Sequence, residues 1–111
     1  LPIVALYYAG MLVTAGFAMP QDLSLAAVRK LYADFYRDQA FITVVQNEEL
    51  PKMLGSNTLA GKDSLRIYVC GNEDRFTVSA QFDNLGKGAS GAAIENMNIA
   101  MGLDPATGLE L

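Results

Sequence analysis

The sequence predicts an α+β fold, in which a mostly antiparallel sheet is covered by one amphipathic helix and followed by a C-terminal docking helix. Three observations lead to this prediction. Residues 65–82 contain two strands with strict two-residue alternation, residues 22–38 carry an apolar stripe at helical spacing, and residues 86–102 form a glycine-rich turn and a small-residue helix. A chain of 111 residues has room for one domain with a real core.

The composition excludes several classes of partner and site. The chain is 51% hydrophobic and 18% charged, which is typical of a compact globular body. Its net charge of −4 and the absence of a basic cluster argue against nucleic acid or an anionic membrane surface as a partner. There is no histidine, and the single Cys70 cannot form an internal disulfide or a cysteine-built metal site. We therefore expect no metal site and a reducing, cytoplasmic compartment.

The first element is an uncharged segment over residues 1–20, for which a membrane span is the alternative to strands. A span needs about 20 predominantly apolar residues, and this segment is interrupted by Pro2, Gly10, Gly16 and Pro20. No basic residue precedes it, so a signal peptide is not indicated. Buried strands are also nearly continuous in apolar residues. We predict a strand region and no membrane association.

The next segment, DLSLAAVRKLYADFYRD, predicts an amphipathic helix that covers the sheet. Ser24 is the expected N-cap, although Ala27 rules out a capping box. The apolar stripe at i, i+3, i+4 and i+7 consists of Val28, Leu31, Tyr32 and Phe35. The expected solvated face consists of Arg29, Lys30, Asp34 and Arg37.

A short strand and a long surface loop follow the helix. Residues 41–45 (FITVV) are rich in β-branched residues and predict the strand, whereas residues 47–61 are polar and contain proline and glycine. Within that loop, Gly55, Ser56 and Asn57 form either a turn or a ligand-contacting segment. From local sequence alone the turn is favoured.

The hairpin is the clearest prediction. Leu65, Ile67 and Val69 alternate with polar neighbours in the first strand. In the second strand the alternating apolar residues are Phe76, Val78, Ala80 and Phe82. We expect one buried face and a turn over residues 71–74. Cys70 ends the first strand without a partner that would activate its thiol, so we expect it to be inert.

The glycine-rich turn Gly86-Lys87-Gly88-Ala89-Ser90-Gly91 has the spacing G-x-G-x-x-G. A dinucleotide-binding fingerprint must also lie in a βαβ unit with a parallel sheet. Here the preceding strand belongs to an antiparallel hairpin, and only residues 102–111 follow the helix. The fingerprint interpretation therefore fails on its context.

The same segment can approach a backbone or a ligand closely, and its N-terminal N–H groups can receive a negative charge. Ile94, Met97 and Met101 form one apolar stripe along the helix. Asn96 and Asn98 are expected to face solvent or to form hydrogen bonds across an interface. Gly102 is suited to the C′ position that ends the helix.

Several segments are similar to the N-acetyl-gamma-glutamyl-phosphate reductases of arginine biosynthesis. The stretch DNLGKGASGAAIENMNIAMGL, followed by TGLEL, resembles the C-terminal end of that family, and its DNLxKGAxGxAxxNMN signature is specific. YYAGMLVT, LYADFY and GSNTLAGKDSLRIYVCGNEDRFTVSAQF resemble the family in the same order. The resemblance thus runs through essentially all 111 residues.

The resemblance implies an oxidoreductase that uses NADPH to reduce N-acetyl-glutamyl 5-phosphate to the 5-semialdehyde with release of phosphate. The family has an N-terminal Rossmann domain and a C-terminal domain that carries dimer or tetramer contacts. The resemblance covers about the last third of the length of the family's proteins. Residues 1–111 would therefore be part of the semialdehyde-dehydrogenase-like C-terminal domain, and the Rossmann domain would be absent from this chain. The catalytic cysteine and histidine would lie upstream, and Cys70 is not the catalytic position.

Carried over residue by residue, the resemblance places Asn84, Leu85 and Gly88 near the cofactor. With less support, it places Ser56 and Asn57 near the substrate. NADP is expected in the intact enzyme but not on this chain alone, and no catalytic residue is expected within the chain. The chain alone would then be inactive.

Two other functions stay open at this point. The chain could be a non-catalytic oligomerisation module, whose last helix pairs with another copy or folds back over the sheet. It could also belong to a related reductase that acts on an aminoadipyl or aspartyl phosphate.

Overall fold

The computed structural model describes residues 1–111 and confirms the α+β fold, with five strands in one sheet and two helices. The strands are β1 (Pro2–Ile3), β2 (Met11–Ala18), β3 (Ile42–Val44), β4 (Leu65–Gly71) and β5 (Arg75–Phe82). The helices are α1 (Leu25–Phe35) and α2 (Gly91–Ala100), and a π-helical turn, Gly86–Ser90, leads into α2. A single 3₁₀ turn, Asn47–Glu49, lies in the long loop after β3.

The sheet has the strand order β1-β2-β5-β4-β3 and is mostly antiparallel, as the sequence predicts. The one parallel pairing joins β3 to β4, with Thr43 opposite Arg66. The predicted hairpin forms β4 and β5, with Val69 opposite Val78. β2 pairs along its whole length with β5, so the uncharged N-terminal segment contributes a central strand.

The core lies between α1 and one face of the sheet. Its fully buried members are Val28, Ile67 and Val69. The partly buried residues packed around them include Leu25, Tyr32, Tyr36, Val44, Phe76 and Val78. Each buried aliphatic side chain of this size contributes roughly 1.5–3 kcal/mol to folding. Ile67 and Val69 of β4 face Val28 of α1, so the alternating apolar residues of this strand are buried under the helix, as predicted.

Helix α1 begins as predicted but is rotated relative to the predicted stripe. Ser24 is the N-cap, and its hydroxyl accepts the Ala27 N–H at 3.2 Å. Leu31 and Phe35, however, are 62% and 75% exposed. Their burial was predicted wrongly, because the face that meets the sheet is a narrower stripe formed by Leu25, Val28, Tyr32 and Tyr36.

Arg29 corrects the predicted solvated face of α1. It is half-buried, and its Nε donates to the Val69 carbonyl at 2.9 Å. Its side chain therefore links the helix to β4. Lys30 and Arg37 remain exposed and pair with Asp34 on the helix surface, as expected for that face.

The prediction of a single buried face for the hairpin was also wrong. Tyr68, Ser79 and Gln81 are buried on the face away from α1, and Gln81 is only 1% exposed. The loop between β3 and β4 covers this face, with Leu59 fully buried within it. Each polar group has a partner: Tyr68 donates its hydroxyl to Gln81 at 2.7 Å, and Ser79 shares a 2.8 Å hydrogen bond with Thr14. Pairing removes the cost of burying these groups.

Of the two arrangements predicted for helix α2, pairing with another copy or folding back over the sheet, the second is not adopted. Its apolar stripe of Ile94, Met97 and Met101 stays exposed, and so does Ile99. Of its residues only Gly91 and Asn98 are buried.

The end of α2 is a Schellman motif built on Gly102. Gly102 has φ +69° and its N–H donates to the Ile99 carbonyl at 3.1 Å, while Leu103 N–H donates to the Asn98 carbonyl at 2.9 Å. Asn98 is neither solvent-facing nor at an interface, contrary to prediction. Its amide donates to the carbonyls of Pro105 and Thr107, which holds the C-terminal tail against the helix.

Candidate functional site

The turn between β5 and α2 is built on the carboxylate of Asp83. Asp83 is 3% exposed. One oxygen, Oδ1, accepts the N–H groups of Leu85 at 2.7 Å and Gly86 at 3.1 Å, and the other, Oδ2, accepts the Gly61 N–H at 2.6 Å. The turn that opens the helical segment is therefore capped by a carboxylate from its own chain. The N–H groups that the sequence offered to a negatively charged ligand are already occupied at this point.

The environment of Asp83 favours its charged form. Burial by itself raises the pKa of this carboxyl, but the hydrogen bonds from the backbone N–H groups of Gly61, Gly86 and Leu85 outweigh burial. The resulting pKa of Asp83 lies below its usual value. The cap therefore stays ionised at neutral pH.

Asn84, predicted to lie near a cofactor, binds the segment between β1 and β2. Its Oδ1 accepts the Gly10 N–H at 2.8 Å. Gly10 has φ +124°, and a Cβ built on it would lie 2.5 Å from Asn57 Cα. Only glycine allows this close approach. Asn84 and Asn57 therefore both contact Gly10.

Ser56, predicted to lie near a substrate, is in contact with Tyr7. Their hydroxyl groups form a hydrogen bond across 49 residues of sequence. Residues 56–61 form turns, and Thr58 N–H donates to the Gly55 carbonyl at 3.2 Å, which confirms the predicted turn. The same turn places Asn57 beside Gly10.

Residues 7–9, residues 57–61 and the turn that begins at Asp83 surround an open cleft of about 390 Å³. It is lined by Tyr7, Tyr8, Ala9, Asn57, Ala60, Gly61, Asp83, Leu85, Gly86 and Ser90. Of the predicted site residues, the structure therefore brings Asn57 and Leu85 into one cleft, with Ser56 and Asn84 bonded to its walls. Gly88 does not line the cleft. A Cβ on Gly88 would lie 3.2 Å from the ring of Phe82, so its small size serves packing.

The other two glycines of the G-x-G-x-x-G spacing also face protein atoms. A Cβ on Gly91 would overlap the carboxylate of Asp63, and one on Gly86 would lie 3.0 Å from the same carboxylate. Asp63 in turn accepts the Glu110 N–H at 3.0 Å. The glycine spacing is thus explained by contact between the turn, the preceding loop and the C-terminal tail.

Lys87, within the same motif, is also engaged by the protein. Its Nζ donates to the Glu95 carboxylate at 2.5 Å and lies 4.5 Å from the centre of the Phe41 ring. The side chains of Lys87 and Glu95 are 14% and 21% exposed. This ion pair joins the turn to α2 and to the start of β3.

Sequence reasoning missed Tyr7, Gly10 and Asp83 as members of the site. Tyr7 and Gly10 lie in the uncharged stretch for which the sequence predicts strands, and nothing local distinguishes them. That prediction was wrong for residues 4–10, which connect β1 to β2 without strand structure. Asp83 did give a signal, because an aspartate two residues before the receiving N–H is typical of an Asx turn.

The cleft is lined by neutral hydroxyl and amide groups and by one carboxylate. Its polar groups are the hydroxyls of Tyr7, Tyr8 and Ser90, the Asn57 amide and the already bonded Asp83 carboxylate. No cluster of three or more metal-ligating side chains occurs in the chain. Neither helix combines the length and apolar content needed to cross a membrane. Cys70 is free and exposed at the far end of β4.

Comparison with known proteins gives a consistent result. A family model described as "Semialdehyde dehydrogenase, dimerisation domain" matches residues 1–84. The N-acetyl-gamma-glutamyl-phosphate reductase of Saccharopolyspora erythraea is 37% identical over 113 residues, which covers 99% of this chain and 32% of the relative. The reductases of Brucella ovis and Brucella canis are 45% identical over 83 residues, covering 71% of this chain and 27% of each relative. The chain spans about a third of the length of these curated relatives. The resemblance inferred from sequence is confirmed.

Proposed function

The chain belongs to the semialdehyde dehydrogenase dimerisation-domain family, and from that membership we propose that it is part of an N-acetyl-gamma-glutamyl-phosphate reductase. The intact enzyme would reduce N-acetyl-glutamyl 5-phosphate to the 5-semialdehyde with NADPH, in the arginine biosynthesis of the cytoplasm. The observation that carries the proposal is the joint match to the domain family and to relatives with that one name.

Within that enzyme, residues 1–111 would form one partial domain and the dinucleotide-binding domain would be a separate unit. The antiparallel sheet supports this division, because a Rossmann domain requires a parallel sheet. We assign Asn84, Leu85 and Gly88 to the cofactor side of the site and Ser56 and Asn57 to the substrate side. Support comes from the cleft that brings Asn57 and Leu85 together. Gly88 has the weakest support, because it lies outside the cleft.

The lining of the cleft fits only one end of an NADP molecule. No lysine or arginine lines it, so it offers no countercharge for a pyrophosphate or a 2′-phosphate. The tyrosine and serine hydroxyls, the Asn57 amide and the Leu85 side chain suit a neutral, planar carboxamide such as the nicotinamide. NADPH supplies the hydride in this reaction class. This chain would bind and orient the nicotinamide end while the phosphates are held elsewhere.

The chain alone is expected to be inactive, since its cleft holds no thiol or amine, and its one carboxylate, Asp83, is already bonded to three backbone N–H groups. The test is an NADPH-linked assay of the purified chain, with the full-length Saccharopolyspora erythraea relative as the positive control. We expect no turnover. A rate within about tenfold of the control, equivalent to about 1.4 kcal/mol in activation free energy, would contradict the expected inactivity of the chain alone.

A non-catalytic oligomerisation module is the second candidate, and the exposed apolar residues of α2 favour it. An apolar helix face without a partner in its own chain marks an interaction site. We propose that the chain forms a homo-oligomer, in keeping with the family description. Sedimentation velocity tests whether the chain self-associates. A chain that stays monomeric at all concentrations contradicts the homo-oligomer. A dimer without reductase activity agrees with both candidate functions.

A further inference from the structure

A second cavity lies on the sheet face opposite α1, beneath the loop that covers that face. Its volume is about 430 Å³, within the range of roughly 300–1,000 Å³ that is usual for small-molecule sites. None of the five residues assigned above to the cofactor or the substrate lines it. Gly55 and Thr58 do line it, so the turn at 56–61 separates this cavity from the cleft.

The floor of the cavity is a fixed chain of hydrogen bonds. Tyr68 donates its hydroxyl to Gln81 Oε1 at 2.7 Å, and Gln81 Nε2 donates to the Gly55 carbonyl at 2.5 Å. Both side chains are buried. Breaking either bond would leave a buried polar group unpaired, which is costly. The loop is therefore held at a set distance from the sheet, and the cavity exists without a ligand.

Two opposite charges line this cavity without meeting. Arg66 projects from β4 and Glu49 belongs to the 3₁₀ turn above it. The ion pairs of the chain use Lys30, Arg37, Lys62 and Lys87, so Arg66 and Glu49 have no oppositely charged atom within 4.0 Å. The rest of the lining is mixed. Val45, Met53 and Leu54 supply apolar surface, whereas Thr43, Thr58 and Gln81 are polar.

We propose that this cavity is a binding site for a free α-amino acid with an apolar side chain. The guanidinium of Arg66 would bind the carboxylate through paired hydrogen bonds, and the carboxylate of Glu49 would bind the ammonium group. The apolar side chains of Val45, Met53 and Leu54 would contact the side chain of the ligand. A zwitterion supplies both charges that the cavity leaves unmatched, whereas an N-acylated amino acid supplies one. The site stands independently of the reductase assignment.

Three probes separate these charges in a heteronuclear NMR titration of the labelled chain. L-Leucine carries both charges, N-acetyl-L-leucine only the carboxylate and L-leucinamide only the ammonium. We expect L-leucine to shift the amide signals of Gly55, Thr58 and Arg66. We expect it to bind at least about tenfold more tightly than either other probe, the loss for one charged contact.

Charge-neutralising variants assign each contact. Arg66→Gln is expected to weaken L-leucine and N-acetyl-L-leucine but not L-leucinamide, and Glu49→Gln should do the reverse. Lys52→Gln and Glu48→Gln are matched controls, because they remove neighbouring charges that do not line the cavity. Equal binding of L-leucine and N-acetyl-L-leucine would overturn the zwitterion site. So would the absence of any shift up to about 10 mM ligand, the limit of even weak specific binding.

Discussion

Asp83 and Gly61, which lie 22 residues apart in the sequence, are joined by a 2.6 Å hydrogen bond from the Gly61 N–H to the Asp83 carboxylate. The same carboxylate receives two N–H groups from the turn that leads into α2. One side chain thus fixes the loop on one side of the cleft relative to the helical turn on the other.

Replacing Asp83 by asparagine should destabilise the chain by about 1–3 kcal/mol. The amide nitrogen would face one of the three donating N–H groups and leave it buried without an acceptor. Urea unfolding at neutral pH measures the effect. Asp38→Asn, at an exposed position after α1, is the matched control and should change stability by less than about 0.5 kcal/mol. An equal effect of the two variants would show that the Asp83 bonds contribute nothing.

The contribution of Asp83 should depend on pH with a definite sign. Because folding lowers its pKa, the stabilisation is present in full above the ordinary aspartate pKa and is lost as pH falls through the folded-state value. The difference in unfolding free energy between the native chain and Asp83→Asn should therefore be constant near neutrality and shrink below about pH 4. A difference that grows towards acid would contradict the lowered pKa.

Three glycine-to-alanine variants separate conformational strain from steric overlap. Gly10 has φ +124° and its Cβ would lie 2.5 Å from Asn57 Cα, so Gly10→Ala meets both penalties. Gly108 has φ +75° in open space, and Gly16 has neither feature. We expect Gly108→Ala to cost about 1–2 kcal/mol, Gly10→Ala clearly more, and Gly16→Ala to be neutral or slightly stabilising. Thermal unfolding of the three variants gives the ranking. A Gly10→Ala chain as stable as Gly108→Ala would mean that the backbone contact with Asn57 is not rigid.

Gly91→Ala should loosen the C-terminal tail without unfolding the sheet. The added methyl group displaces the Asp63 carboxylate, which also accepts the Glu110 N–H. Amide hydrogen exchange at Glu110 should accelerate, whereas exchange at Val69 in the core should not change. Gly102→Ala is the comparison, since its strain lies at the end of α2 and away from Asp63. Unchanged exchange at Glu110 in Gly91→Ala would show that the tail is held by other contacts.

Self-association should depend on the exposed stripe of α2. Met97→Lys places a charge where a second copy is expected to pack, and Met97 is already half exposed, so folding should not suffer. We expect the dissociation constant of the oligomer, measured by sedimentation equilibrium, to rise by at least about tenfold. Leu31→Lys on α1 is the control, because it adds the same charge at an equally exposed apolar position. If Leu31→Lys weakened association and Met97→Lys did not, the interface would lie on α1.

The hairpin could be predicted because its physical cause is local. Alternation in β4 reports the face that meets α1, and Ile67 and Val69 are buried as expected. Gln81 could not be predicted, since alternation assigns polar residues to solvent and says nothing of a distant loop that covers them. The burial of Leu31 and Phe35 was predicted wrongly for a related reason. Helical spacing shows that an apolar stripe exists, but it does not show how much of that stripe the sheet will cover.

The candidate site shows the same division between local and distant causes. Asn57 and Leu85 came from a resemblance and do meet in one cleft, whereas no short-range pattern links either of them to Tyr7 or Gly10. These residues come together because β2 pairs with β5, which joins segments that are distant in the sequence. Gly88 illustrates the converse, because a motif position suggested a ligand and its local neighbour Phe82 explains the glycine.

The sheet ends on one side in β1, with two residues, and on the other in β3, with three residues. Unpaired backbone N–H and C=O groups on a long edge strand invite pairing with another chain and the growth of fibrils. β1 pairs only with Leu12 and Val13 of β2, and β3 pairs only with residues 65–67 of β4, so the remaining residues of these two longer strands form unpaired edges of their own. Besides the apolar helix surface, the chain therefore offers backbone N–H and C=O groups at residues 15–18 and 68–71, where a further strand can pair with the sheet.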